Sequence, residues 1–293
     1  MKVFKSKDGQ RAEESFLIEE DDIFSNLEHK QGSSLFLGKY SLGEVIAVLK
    51  KKNLFRIARQ RGLWPLVFDA DSSEFPPLQR FQVFLKNKQP ENLIVDLKIR
   101  EGKFRPKQEV DFPFSMDPYN FLMLEWLTLQ NPLIAFSGEK TPLPGQQHPG
   151  LNIGNKVINL FVNLAQRCGD DGILAFPAYY HNALLFSRNF HFVNPVKKGE
   201  VLAIRKSYPS LSFKKMAWIV HLNCLRNEDG SVYEWKAEEQ LYPLNKRLED
   251  YFETREYKNK VKDSENSRRF LIDWSCYEER MTEIKGNNWS EVF

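Results

Sequence analysis

Cysteine is scarce in this chain: three copies in 293 residues, Cys168, Cys224 and Cys276, odd in number and far apart. That excludes a disulfide framework and suits buried thiols in a reducing compartment. The five histidines and three thiols form no zinc spacing, so no metal is expected. No apolar run approaches the roughly 20 residues of a membrane span. Met1 to Glu14 is polar and has no signal-peptide stretch, so a cytoplasmic protein is expected, with no membrane partner. Charge of one sign is missing as well. Forty-two basic side chains against 39 acidic ones leave a formal +3, which gives no bulk attraction for nucleic acid or an anionic bilayer. What is abundant is phenylalanine, with 23 copies, in a chain 42% hydrophobic and 28% charged. That balance describes a folded globular protein with aromatic cores, long enough for one large domain or two modest ones.

Periodicity organises the chain after a polar lead-in, residues 1–40, which carries the acidic cluster Glu19 to Asp22. Ser41 and Glu44 form a capping-box pair, and Leu42, Val45, Ile46 and Leu49 recur at helical spacing. A second apolar stripe, Leu54, Ile57 and Ala58, stops at Gly62, and the basic residues Lys50 to Arg61 between these stripes read as a solvated face. Strands are expected over Leu63 to Phe68, Arg80 to Leu85, Asn92 to Arg100 and Phe121 to Leu129. A loop rich in proline and glycine, Asn131 to His148, leads to a helix with Val157, Leu160, Phe161, Leu164 and Ala165 on one stripe. Ile173 to Phe176 is a short buried strand, Tyr179 to Asn189 a helix, and Phe190 to Val193 a closing strand. The fold class expected is α/β, with a mixed central sheet flanked by helices over residues 41–199. Beyond Gly199 the composition changes. Ser212 caps a further helix, Val232 to Val261 reads as helix interrupted at Pro243, and residues 200–293 form a mostly helical extension packed on the body.

The chemically informative stretch is Leu143 to Gly154, between a strand and a helix. A helix amino terminus presents unpaired N–H groups and the positive end of the macrodipole, which suits a phosphate. Glycine lets such a ligand approach the backbone, and Asn152 tolerates left-handed backbone angles. Pro149 has no N–H, so donors begin at Gly150. Two phosphate loops are excluded. Gly145 and Gly150 have Walker spacing but Leu151 stands where lysine is needed, and the three-glycine dinucleotide pattern is absent. A tight loop without a ligand stays an open alternative.

Strand, Gln-x-x-Gly-x-x loop, helix, strand, helix and final strand, in that order, resembles the GNAT acyltransferase superfamily over roughly Ser41 to Pro195. Gln147, Gly150 and Asn152 fall on the positions of its Gln/Arg-x-x-Gly-x-Gly/Ala loop, with Gly154 two residues later. The resemblance implies an acetyl-CoA or other acyl-CoA co-substrate between splayed fourth and fifth strands, around Gln130 and Phe176. It places the pyrophosphate on Gln147, Gly150, Leu151, Asn152, Ile153, Gly154 and Asn155, with Asn182 nearby. Three departures stand out: Asn152 replaces the last Gly or Ala of the motif, the loop between the fourth strand and the helix is longer than the family norm, and Phe186 stands where many members carry a tyrosine acid.

Amine acylation needs a base for the amine and stabilisation of charge on the thioester oxygen. Glu125, mid-strand among apolar neighbours, is the first candidate base, since desolvation there would raise its pKa. A salt-bridged glutamate is the alternative. His181 titrates in the useful range, or else packs at the start of the closing helix. Tyr180 or Tyr179 could replace the missing acid, with aromatic packing as the other role, and His148 reads as a loop-surface histidine. The function expected is acyl-CoA-dependent N-acylation of a small-molecule or protein amine. A non-catalytic acyl-CoA- or partner-binding protein on the same scaffold is the alternative. Nothing in the residues identifies the acceptor or the oligomeric state.

Overall fold

In the computed structural model, residues 35–71, 73–74, 78–104, 119–137 and 141–286 are described. The acidic cluster Glu19 to Asp22 lies outside them, as do most of the lead-in and the last seven residues. The fold is α/β. Seven strands make one mixed sheet in the order β1-β2-β3-β4-β5-β8-β6, flanked by helices, and two more form a small ribbon, β7-β9. The chain divides into two compact units, Met1–Lys98 and Ile99–Phe293.

The first unit opens with α1 (Leu42–Lys51), whose capping box is complete: the Ser41 hydroxyl accepts from the Glu44 N–H, and the Glu44 carboxylate accepts from the Ser41 N–H. Helix α2 (Leu54–Gln60) follows, then β1 (Leu66–Asp71) and β2 (Gln79–Leu85), an antiparallel pair in register Leu66↔Leu85 to Asp71↔Arg80. The expected first strand therefore lies three residues further on, and its ladder runs into the acidic stretch read as a turn. An edge strand can carry those carboxylates, because Asp69 accepts from Lys88 at 3.1 Å and stays at the surface. A chain of rings, Phe55, Phe68 and Phe81, fills the core, and Arg80 grips buried Asp96 of β3 (Leu93–Gly102) with two hydrogen bonds.

The second unit is built on β4 (Phe121–Leu129) and β5 (Gly172–Ala175), joined by α3 (Gly154–Cys168). The two strands are parallel, paired from Phe121↔Gly172 to Leu124↔Ala175, which is the crossover geometry a strand–helix–strand unit demands. Phe121, Leu122, Ile173 and Leu174 are wholly buried. Then come α4 (Tyr180–Phe186), β6 (His191–Phe192), α5 (Pro195–Ser207), α6 (Phe213–His221) and β7 (Leu225–Asn227). Next are β8 (Gln240–Pro243), α7 (Lys246–Glu253), α8 (Arg255–Ser267), β9 (Phe270–Ile272) and α9 (Trp274–Gly286).

Two expectations fail here. Val232 to Val261 is not one interrupted helix: residues 233–239 are neither helix nor strand, and β8 pairs antiparallel with both β5 and β6, inside the central sheet. The C-terminal region is mainly helical, yet it completes that sheet. Gly199 is not a boundary either, since it lies within α5. A Cβ there would come within 2.4 Å of the Val261 carbonyl oxygen of α8, so glycine is what lets the two helices pack backbone to backbone.

Candidate functional site

The site starts where β4 and β5 part. Their pairing ends at Leu124↔Ala175, while β4 runs on for five more residues, Glu125 to Leu129. Burial changes at the same point: Phe121 to Leu124 are buried, whereas the second half is partly exposed, Trp126 by 45%. Beyond it, Gln130 and Gly150 form an isolated antiparallel bridge, flanked by Asn131 N–H donating to the Pro149 carbonyl at 2.8 Å and Leu151 N–H to that of Leu129 at 3.3 Å. The bridge ties the loop to the strand and leaves a cleft of about 150 Å3 behind it. Glu125, Gln130, His148, Phe176, Tyr179 and His181 are among its walls.

Glu125 lies in the cleft, but not isolated among apolar groups as expected. Arg100 Nε donates to its Oε1 at 2.7 Å, and about a third of each side chain is exposed. The salt-bridged alternative describes its surroundings. His181 is 3% exposed, and burial, with the charge of His221 second, pushes its pKa down to about 4. It is therefore a neutral imidazole at physiological pH, able to accept a proton weakly and not poised to donate one. Its neighbour Tyr180 does not line the cleft; Tyr179 does. Tyr179 stacks on His181 with ring centroids 5.3 Å apart, and its hydroxyl lies against Gly145, where a Cβ would be only 2.6 Å away. Gly145 has φ +76°, so glycine serves both the turn and the close approach of the ring.

Of the loop residues expected to hold pyrophosphate, Leu151 is buried as a core side chain and Gln147 is exposed outside the cleft, with Gln146 and His148 lining it instead. Gly150, Asn152, Gly154 and Asn155 are exposed and Ile153 half-buried. Asn152 takes φ +49°, the left-handed conformation its side chain tolerates. Ile153 is the N-cap of α3 and supplies no side-chain cap. Among the described residues, the N–H groups of Asn152, Ile153, Gly154 and Asn155 donate no backbone hydrogen bond, so the positive end of a 15-residue helix is open. Asn182 and Phe186 both line the cleft.

Sequence reasoning underrated His148. Its Nδ1 is buried in the cleft wall with no hydrogen-bond partner among the described residues. Only the fold could reveal this, because a histidine in a Pro/Gly loop reads as solvated. Away from the cleft, Glu101, Cys168 and Asp170 bring ligand atoms within 4.8 Å of one another, a grouping that sequence spacing cannot display.

No protein-family model matches this chain, and no curated protein matches it. Among solved structures, it is similar to the crystal structure of AtaTR bound with AcCoA at 14% identity, over 54% of this chain and 80% of that one. The TM-score is 0.25, a likeness too low to bear on fold or site. Among the described residues no helix is long and apolar enough to cross a membrane.

Proposed function

We propose that the chain binds an acyl-coenzyme A in the cleft and transfers the acyl group to an amine. The observation that carries this is the parting of β4 from β5 beside an uncapped helix terminus. The edge of β4 that faced β5 is unpaired by it from Glu125 onward, and an extended arm containing amides can add to such an edge as a strand would. A pantetheine arm is of that kind. The free amides from Asn152 to Asn155 suit the diphosphate, and the space outside Gly154 is open, with nothing within 4 Å of a Cβ built there. The co-substrate supplies a thioester carbonyl carbon. Around it, Glu125 and His181 are the groups able to take a proton from the amine. Tyr179 and His148 replace Tyr180 as candidates to protonate the departing sulfur.

Phe186 favours a second reading, a binding protein without catalysis, because it places a ring without a hydroxyl in the cleft wall. Calorimetric titration with acetyl-CoA and with free coenzyme A tests the shared premise, alongside Gly150→Glu. A Cβ at Gly150 meets only the Leu129 carbonyl, at an ordinary 3.6 Å, so the variant should fold while placing a carboxylate against the diphosphate. Micromolar binding, weakened at least about tenfold in the variant, is expected. Absence of binding at millimolar ligand, or indifference to the substitution, removes the site from this loop. Turnover of acetyl-CoA with an amine present then separates the enzyme from the binding protein.

A further inference from the structure

A second cavity, of about 300 Å3, adjoins the cleft, and Ala178, Tyr179 and His181 border both. Its other walls come from α6, from Asn223 just beyond it, and from Glu234 and Trp235 in the irregular segment before β8. Two polar atoms of its lining residues, the Tyr180 hydroxyl and Trp235 Nε1, are buried without a hydrogen-bond partner among the described residues. A ligand atom that pairs with such a group supplies the hydrogen bond the fold withholds. Five rings line the space, those of Tyr179, Tyr180, His181, His221 and Trp235. Burial holds both imidazoles below their ordinary pKa, so at neutral pH the one formal charge in the lining is Glu234, exposed at the rim. No lysine or arginine is part of the wall. Lys197 does stand 4.3 Å over the Trp235 ring, but its charge is met by Glu200 at 2.6 Å. Aromatic faces with a single carboxylate attract a cation. The same wall offers no cationic partner to an anion.

We propose that this cavity holds the acceptor, as a small primary amine that carries no carboxylate, with its ammonium drawn in by Glu234 and its body against the aromatic walls. This rests on the acyl-transfer reading of the adjoining cleft. On becoming nucleophilic the ammonium gives one proton to solvent. Its lone pair then forms the C–N bond to the acyl carbon as the C–S bond breaks. The second proton passes through the Tyr179 hydroxyl, whose ring borders both cavities, to the departing sulfur, leaving an amide and a free thiol.

The test titrates the full chain with tyramine and, in parallel, with tyrosine, which differs by the carboxylate. Tyramine should saturate and tyrosine bind at least about tenfold more weakly. Glu234→Lys, a change at an exposed position that leaves the fold intact, should weaken tyramine about tenfold without altering acetyl-CoA binding. Three results overturn the proposal: tyrosine as tight as tyramine, tyramine indifferent to Glu234→Lys, or no tyramine binding at millimolar concentration. Acetyl-CoA binding alongside any of these leaves the cleft reading standing. Glu234-dependent tyramine binding in a chain that never binds acetyl-CoA overturns the cleft reading and the acceptor role together.

Discussion

Two sets of buried polar side chains in the second unit behave in opposite ways. In the first, every group is met. Glu200 Oε1 accepts from Lys197 Nζ and from the Tyr233 hydroxyl, each at 2.6 Å, and Arg268 approaches its Oε2 at 3.1 Å. Lys197 and Glu200 are each 8% exposed. In the second set, His148 Nδ1 and the Tyr180 hydroxyl have no hydrogen-bond partner among the described residues. A satisfied network holds α5 against the Tyr233 segment and the end of α8. Groups left open beside cavities gain nothing from the fold and are the ones a ligand can engage. Buried polarity alone does not mark a site; unmet polarity beside a cavity does.

That contrast can be broken from either side. The largest effect should come from Glu200→Ala, which strands the Lys197 ammonium in the interior and should cost about 3–5 kcal/mol in chemical denaturation. The pair Lys197→Met with Glu200→Leu should restore most of that stability, and a single-variant loss below about 1 kcal/mol would place the network among the dispensable features. Next in size is a pH effect. His181 has a pKa near 4 in the folded chain against about 6.5 unfolded. Between those values the unfolded state binds the extra proton, so stability is full above about pH 6.5 and is lost as pH falls toward 4, by at most about 3 kcal/mol. His181→Phe should flatten this slope in denaturation series without abolishing it, since His191 and His221 are lowered too. An unchanged slope would mean that the ring is not held neutral by its surroundings. The smallest effect tests the open end of α3. Gly154→Ala puts a methyl into empty space and should stabilise by about 0.4–1 kcal/mol, read as a raised melting temperature. A drop would show the terminus to be packed after all.

Much of this was legible in the residues wherever the signal was local. The Ser41–Glu44 box, the apolar stripe of α3, the Ser212 cap of α6 and the left-handed Asn152 all follow from neighbours in sequence. Partners that lie far along the chain were not legible. Arg100 meets Glu125 only because β3 lies beside β4 in the sheet. Strand β8 hides in a charged run, and its Gln240 is fully buried with its side-chain amide donating to the Ala183 carbonyl at 2.9 Å. Tyr179 and Tyr180 differ by one position, and about 100° of rotation at a helix start decides which ring faces the cleft. Gly199 carries a signal of its own, but a glycine that ends a helix and one that admits a neighbouring helix look alike in a single sequence.

The place of β8 sets an order of events in the making of the molecule. Its partners β5 and β6 leave the ribosome first. Until residues up to Pro243 have emerged, the edge of β5 away from β4, all of whose residues are buried in the finished sheet, has no strand to cover it. The walls of the cleft are complete in sequence by Phe186, yet the sheet behind them closes only with this much later segment. A nascent chain therefore carries an uncovered strand edge, of the kind that recruits other chains, through the synthesis of α5 and α6.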